Sequence, residues 1–183
     1  MGMNIDINLG NSDQEYRVAL FLSAGAKNRE WGVDNYCELV TILHSLCRMD
    51  LVLLGAGANT EAYGIELESK LGFPVRNLIG KTTLRETIAV LRKCDLYIGG
   101  DTGPMHMAAA CGLKGIAISK HAKNADKSNA SSKERFGPWL SKIKFIQPEY
   151  SLPGCENGCN KLYAHCIKLV SVDNVYNILI SNF

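Results

Sequence analysis

The sequence predicts an α/β fold in which a parallel sheet is covered by helices on both faces. Three observations predict it. Short apolar runs alternate with segments of helical periodicity along the chain, the pattern of βαβ units. Several runs, such as LVLL at Leu51 to Leu54, are continuously apolar, as expected of strands buried on both faces. Two of the runs are closed at once by glycines, at Gly55-Ala56-Gly57 and at Gly99-Gly100, and ligands in such open sheets bind beyond the carboxyl ends of the strands.

In chain order, residues 1–15 are polar and without period, and are expected to form a tail or linker. Residues 16–183 are expected to form one domain. Arg17 to Ser23 reads as a buried strand. Asp34 is placed to cap a helix whose apolar residues Tyr36, Leu39, Val40, Leu43 and Leu46 recur at helical spacing. Leu51 to Leu54 is the next strand and Thr60 to Leu71 a second helix. Val75 to Ile79 is a short strand. Thr83 to Arg92 is a third helix, with Glu86 at capping-box spacing from Thr83. Leu96 to Ile98 is a strand, Met105 to Cys111 a short helix ended by Gly112, and Gly115 to Ser119 a further strand. Lys120 to Arg135 reads as a polar loop, Lys144 to Ile146 as a last strand and Val172 to Ile180 as a terminal helix.

The 183 residues, 46% hydrophobic, suffice for a single core. Twenty basic and 18 acidic residues leave a formal charge of +2, and no dense Lys/Arg stripe points to nucleic acid. The locally basic stretch from Lys114 to Arg135 is either a solvated loop or a surface facing phosphate or an anionic membrane. The N-terminus lacks the basic-then-apolar pattern of a secretory signal, and no apolar run approaches the roughly 18 residues of a membrane helix. A cytoplasmic protein, at most peripheral to the inner membrane, is expected. Of seven cysteines, Cys37, Cys47, Cys94 and Cys111 fall in apolar or helical patterns, where a thiol acts as a small hydrophobe. No secreted disulfide framework is visible.

The densest chemistry lies in Tyr97-Ile98-Gly99-Gly100-Asp101-Thr102-Gly103-Pro104-Met105-His106. A strand ends, glycines admit a ligand close to the backbone, and Pro104 begins a helix at a position that tolerates its missing N–H. Free N–H groups and the positive dipole end make such a helix start an anion site. Asp101 or Thr102 can cap it, and His106 in the first turn can donate to a phosphate oxygen. The plainer reading is a capped turn with a core histidine.

The run GGDTGPMHMAAACG resembles the strand–turn–helix signature of glycosyltransferase family 9, the heptosyltransferases of lipopolysaccharide core synthesis. Ser23 to Tyr36 (SAGAKNREWGVDNY) is similar to that family's first loop of this domain, and Gly80-Lys81-Thr82-Thr83-Leu84 to the loop before its next helix. The resemblance implies the GT-B arrangement of two Rossmann-like domains, with this chain as the C-terminal, donor-binding one. It implies a nucleotide-sugar donor, ADP-heptose in particular, as substrate, with no further cofactor. Asp101, Thr102, Gly103 and His106 would hold the donor diphosphate. Arg29 would stand where the family has a basic residue, usually Lys, with altered donor geometry. Glu61 would accept from ribose hydroxyls and Thr82 would line the base pocket. Each also has a bland reading: a solvated loop cation for Arg29, an exposed helix-start carboxylate for Glu61. No Asp-x-Asp pair is present to hold Mg²⁺, so metal-free transfer is expected, with N–H donors, helix dipole, Arg29 and His106 stabilising the departing diphosphate.

The chain departs from the family in two places. Lys120-His121-Ala122-Lys123 stands where the family has a Gly-Pro-Thr type turn. No N-terminal domain precedes residue 16, so a lipid-linked or glycan acceptor and a general base are expected from elsewhere. Cys155, Cys159, His165 and Cys166 form a cluster whose spacings could suit zinc but are not a strong zinc pattern, and a structural or redox-neutral role is expected ahead of a metal site. Competing readings are a related GT-B protein using another nucleotide sugar, a non-catalytic nucleotide-sugar-binding module, and a dinucleotide-binding domain. The last rests on Gly55-Ala56-Gly57-Ala58-Asn59-Thr60, where Thr60 replaces the third glycine of the fingerprint.

Overall fold

A computed structural model describes residues 16–139 and 141–182; the expected tail over residues 1–15 lies outside the described residues. Six apolar runs become strands: β1 (Tyr16–Phe21), β2 (Met49–Leu54), β3 (Arg76–Asn77), β4 (Leu96–Gly100), β5 (Lys114–Ile118) and β6 (Lys142–Ile146). They form one sheet in the order β3-β2-β1-β4-β5-β6, every pair parallel. This is the doubly wound order in which the strand sequence reverses between β1 and β4.

The two-residue period of a strand sorts its side chains into two cores. Val18 and Leu20 of β1, Ile98 of β4 and Ile116 of β5 face one side, against Tyr36, Leu39 and Val40 of α1 (Val33–Leu46), Leu67 of α2 (Ala58–Lys70) and Val175 and Leu179 of α6 (Val172–Asn182). Ala19, Phe21, Tyr97 and Ala117 face the other side, against Val90 and Leu91 of α3 (Leu84–Leu91) and Met105 and Ala108 of α4 (Gly103–Ala110). Each fully buried Leu or Ile stabilises the fold by about 1.5–3 kcal/mol. Burial on both faces is why β2 reads as an unbroken apolar run.

Several boundaries differ from the sequence reading. Helix α1 is capped by Gly32, not Asp34; Asp34 sits in the first turn, where its charge suits the helix dipole, and pairs with Lys70 Nζ at 2.5 Å. Strand β3 spans two residues rather than five, although Leu78 and Gly80 still donate to the carbonyls of Leu53 and Gly55. The Asn77 side chain accepts from the Ile79 N–H and curls the chain out of the ladder. The reciprocal capping box of Thr83 and Glu86 is present. The polar loop after β5 contains a single turn, α5 (Lys133–Phe136), capped by the Ser132 hydroxyl rather than driven by apolar periodicity. Among the described residues no helix is long and apolar enough to cross a membrane.

Candidate functional site

Strands β1 and β4 are neighbours, but the chain leaves them toward opposite faces. After β1 it passes through a 3₁₀ turn (Lys27–Arg29) into α1, and after β4 it enters α4. The divergence opens a cleft of about 540 Å³ at the carboxyl ends of the strands. One wall is Ser23 to Gly25 with Glu30, a second is Gly55 to Thr60, and the third is Thr102, Gly103 and Pro104.

The third wall is a helix N-terminus. Tyr97, buried in the core, donates its hydroxyl to the Gly100 carbonyl at 3.0 Å and fixes the exit of β4. Thr102 is the N-cap, yet its side chain makes no capping bond, and Pro104 stands in the first turn of α4. A Cβ built on Gly103 would meet nothing within 4 Å. The start of α4 therefore offers its dipole and the Gly103 N–H without a side-chain acceptor, since Pro104 has no N–H and the Met105 N–H donates to the Thr102 carbonyl at 3.0 Å. His106 is exposed in the same first turn.

Beside it, Arg29 and Asp101 form a pair. The guanidinium donates to the Asp101 carbonyl, and its Nη2 lies 3.7 Å from the Asp101 carboxylate. Arg29 keeps 34% of its side chain exposed while Asp101 keeps 7%. Burial pushes the Asp101 carboxyl above its usual range, opposed by the charges of Arg29 and His106, by a hydrogen bond with Ser119 and by His121. The Asp101 carboxylate is thus held beside the Arg29 guanidinium. Lys120, at the end of β5, also stands near Arg29, and burial lowers its pKa.

Of the expected donor-binding residues, Thr102 and Gly103 line this cleft, whereas Arg29, Asp101, His106, Glu61 and Thr82 do not. Glu61 is exposed in the first turn of α2, next to the cleft residue Thr60. Its carboxylate lies against Gly80, where a Cβ would come within 2.8 Å of Oε1 and where φ is +71°. Thr82, two residues on, shares a hydrogen bond of 2.9 Å with Thr87. Glu61 is thus placed against Gly80, and Thr82 is turned to α3 through Thr87.

Sequence reasoning missed most of the second wall. Ser23 and Thr60 share a hydrogen bond of 2.6 Å that joins the loops after β1 and β2. Gly57 caps α2 at φ +99°, a conformation that requires glycine. The signal was the Gly55-Ala56-Gly57 turn, which the sequence offered as a glycine-closed strand end and as part of an incomplete dinucleotide fingerprint.

A second group of reactive side chains lies in the long connection from β6 to α6. Cys155, Cys159 and Cys166 are buried, and their sulfurs with His165 Nδ1 all lie within 4.8 Å of one another. Burial pushes the Cys155 and Cys166 thiols up. At Cys159 burial acts the same way but is outweighed by the N–H groups of Cys166 and Lys161 and by His165, and the pKa is lowered. The irregular spacing hid this convergence, because a 3₁₀ turn (Cys166–Leu169) folds His165 and Cys166 back onto the Cys155–Cys159 turn. The connection touches the main site: Lys120 Nζ donates to the Cys159 carbonyl at 2.6 Å, Asn28 to the Lys161 carbonyl, and Trp31 Nε1 to the Val170 carbonyl at 2.7 Å.

Fold and cleft together define a doubly wound α/β domain with an anion-receptive site at its topological switch point. The chain belongs to glycosyltransferase family 9 (heptosyltransferase), which residues 8–159 match. It is 25% identical over 136 residues to the lipopolysaccharide core heptosyltransferase OpsX of Haemophilus influenzae, covering 63% of this chain and 39% of that protein. It is 28% identical over 133 residues to lipooligosaccharide heptosyltransferase 2 of Campylobacter jejuni, covering 69% and 38%. E. coli heptosyltransferase WaaC, solved with ADP, superposes with a TM-score of 0.72 at 18% identity, over 96% of this chain and 47% of that one. The chain thus spans about two fifths of the length of these curated relatives. The resemblance drawn from GGDTGPMHMAAACG and the Rossmann-like fold it implied both hold.

Proposed function

We propose that this chain is the donor-binding part of a heptosyltransferase-type enzyme of lipopolysaccharide or related glycan synthesis, and that its donor is an ADP-sugar of the ADP-heptose kind. The observation that carries this reading is the uncapped start of α4 facing the switch-point cleft beside the partly exposed Arg29 guanidinium. A diphosphate lying there would meet the helix N-terminus, with Arg29 and His106 as the flanking charge-assisted donors. Glu61, against Gly80, would accept from the ribose hydroxyls, and Thr82 would stand by the base. As the sugar–phosphate bond breaks, charge grows on the departing diphosphate, and these preorganised groups would stabilise it. The acceptor hydroxyl and its base would come from another domain across the cleft. A lipid-linked acceptor fits the exposed Trp139 and Phe136 near Lys133 and Arg135, aromatic and basic residues suited to a membrane surface.

The dinucleotide reading is less well supported. Its fingerprint belongs in the first βα turn, whereas Gly55-Ala56-Gly57 follows β2. Calorimetric titration with ADP, ADP-heptose and NAD tests the proposal. Binding of ADP and ADP-heptose in preference to NAD is expected, and NAD binding without ADP binding would overturn it.

A further inference from the structure

We infer that Cys155, Cys159, His165 and Cys166 form a closed tetrahedral site for a structural zinc ion. The edges from the histidine nitrogen have the length of a ligand shell, and all four donor atoms lie within 4.8 Å of one another. A tetrahedral zinc with sulfur at about 2.3 Å and nitrogen at about 2.0–2.1 Å sets each S···N edge at about 3.5–3.6 Å. The three sulfurs stand 3.5, 3.6 and 3.7 Å from His165 Nδ1. Hydrogen bonding does not explain this arrangement. A ring nitrogen carries either one proton or one lone pair, and so serves one sulfur, not three at near-equal distance. Apolar packing does not explain it either, because it gives no reason for a ring nitrogen to point at the centre of three thiols.

The chemistry of the set narrows the ion. Thiolates with one imidazole suit zinc and also iron, whereas calcium and magnesium take oxygen ligands; zinc is the ion that needs no redox partner and no bridging sulfide. Four protein ligands leave no open position for water or substrate, which marks a structural site rather than a catalytic one. The sulfurs also receive outer support, from the N–H groups of Lys161 and Cys166 to Cys159 and from that of Leu152 to Cys166, as ligand shells ordinarily do.

The fold gives the ion a task. Between Ile146 and Val172 lie 25 residues whose only regular element, among the described residues, is one 3₁₀ turn. Loops longer than about 12–15 residues without secondary structure are uncommon in compact domains. A metal cross-link supplies the order that a ladder or helix would otherwise provide. Through the bonds to Lys120 and Asn28, the same knot braces the loops after β5 and β1. This inference stands apart from the choice of donor.

The test is elemental analysis of the chain purified without chelators or added metal, with the released ion followed by a metallochromic dye during thiol mercuration. One zinc per chain is expected, freed as the three cluster thiols react. Cobalt substitution should give the visible absorption of a tetrahedral thiolate complex. Cys159→Ala and Cys166→Ala should lose the ion, and Cys37→Ser, outside the cluster, should keep it. If the cluster variants do not fold, the mercuration stoichiometry of the unaltered chain decides. A folded chain without metal whose cluster thiols titrate freely, or a disulfide within the cluster by mass, overturns the site. Iron in zinc's place overturns the zinc assignment.

Discussion

The guanidinium of Arg29 donates to the main-chain carbonyl of Asp101 while its Nη2 stands 3.7 Å from the Asp101 carboxylate. One residue comes from the loop after β1 and the other from the loop after β4, so the pair crosses the switch point of the sheet. It holds a cation beside the start of α4, where the N-cap side chain makes no capping bond.

Arg29→Met is expected to weaken ADP binding while the fold persists. A hydrogen bond to a charged group is worth about 1.5–3 kcal/mol, so affinity should fall about tenfold or more. Arg29→Lys should recover part of the loss, since it keeps the charge but not the planar fork. Calorimetry with ADP, alongside circular dichroism, reads both. Unchanged affinity in a folded Met variant would assign Arg29 to the loop structure alone.

His106→Ala is expected to lower affinity for ADP by a similar factor without altering stability, because the ring is exposed in the first turn of α4. The same titration checks it. A loss of thermal stability with ADP affinity intact would make His106 a packing residue.

Asp101→Asn should change stability in a pH-dependent way. Burial raises the Asp101 pKa above its ordinary 3.8, so the folded state holds this proton more tightly than the unfolded chain. That contribution is complete below 3.8 and is lost as pH rises through the folded value. Asparagine cannot ionise, so the stability of the variant relative to the parent should increase from acid to neutral pH. Urea unfolding at both pH values measures the difference. A difference that falls with rising pH would mean that the pairing with Arg29 outweighs desolvation.

Tyr97→Phe should destabilise the fold by about 1 kcal/mol, the ordinary net worth of one hydrogen bond, because it removes the 3.0 Å bond to the Gly100 carbonyl and leaves the longer one from the Thr102 hydroxyl at 3.5 Å. Denaturant midpoints of the two proteins report it. ADP affinity should fall as well if this bond sets the exit of β4, and an unchanged affinity would confine its role to stability.

The chain by itself should bind ADP-heptose and release no ADP in the presence of a lipid A–Kdo acceptor. Transfer requires the acceptor hydroxyl within about 3–3.5 Å of the reacting carbon and a base in reach of it. The carboxylate in the cleft walls, Glu30, is already engaged by the Tyr63 hydroxyl at 2.9 Å and by Lys27 at 3.3 Å. Turnover by the purified chain would show that the acceptor site lies within it.

The sequence by itself determined the sheet, its helices on both faces and the strand–turn–helix junction at Gly99 to His106. Those features rest on local patterns: apolar runs, a 3.6-residue period, and a strand–glycine–proline–helix junction whose chemistry lies within ten consecutive residues. Thr83 and Glu86 announced their capping box for the same reason, being three residues apart. Tertiary structure decided what depends on distant segments. Arg29 meets Asp101 only because β1 and β4 become neighbours, and Glu61 reaches Gly80 only because α2 packs beside the β3 edge. Cys155, Cys159, His165 and Cys166 converge through loop turns that leave no period in the sequence. Spacing along the chain reports proximity only where a regular helix or strand fixes the rise per residue, and between Ile146 and Val172 one short 3₁₀ turn is all that does.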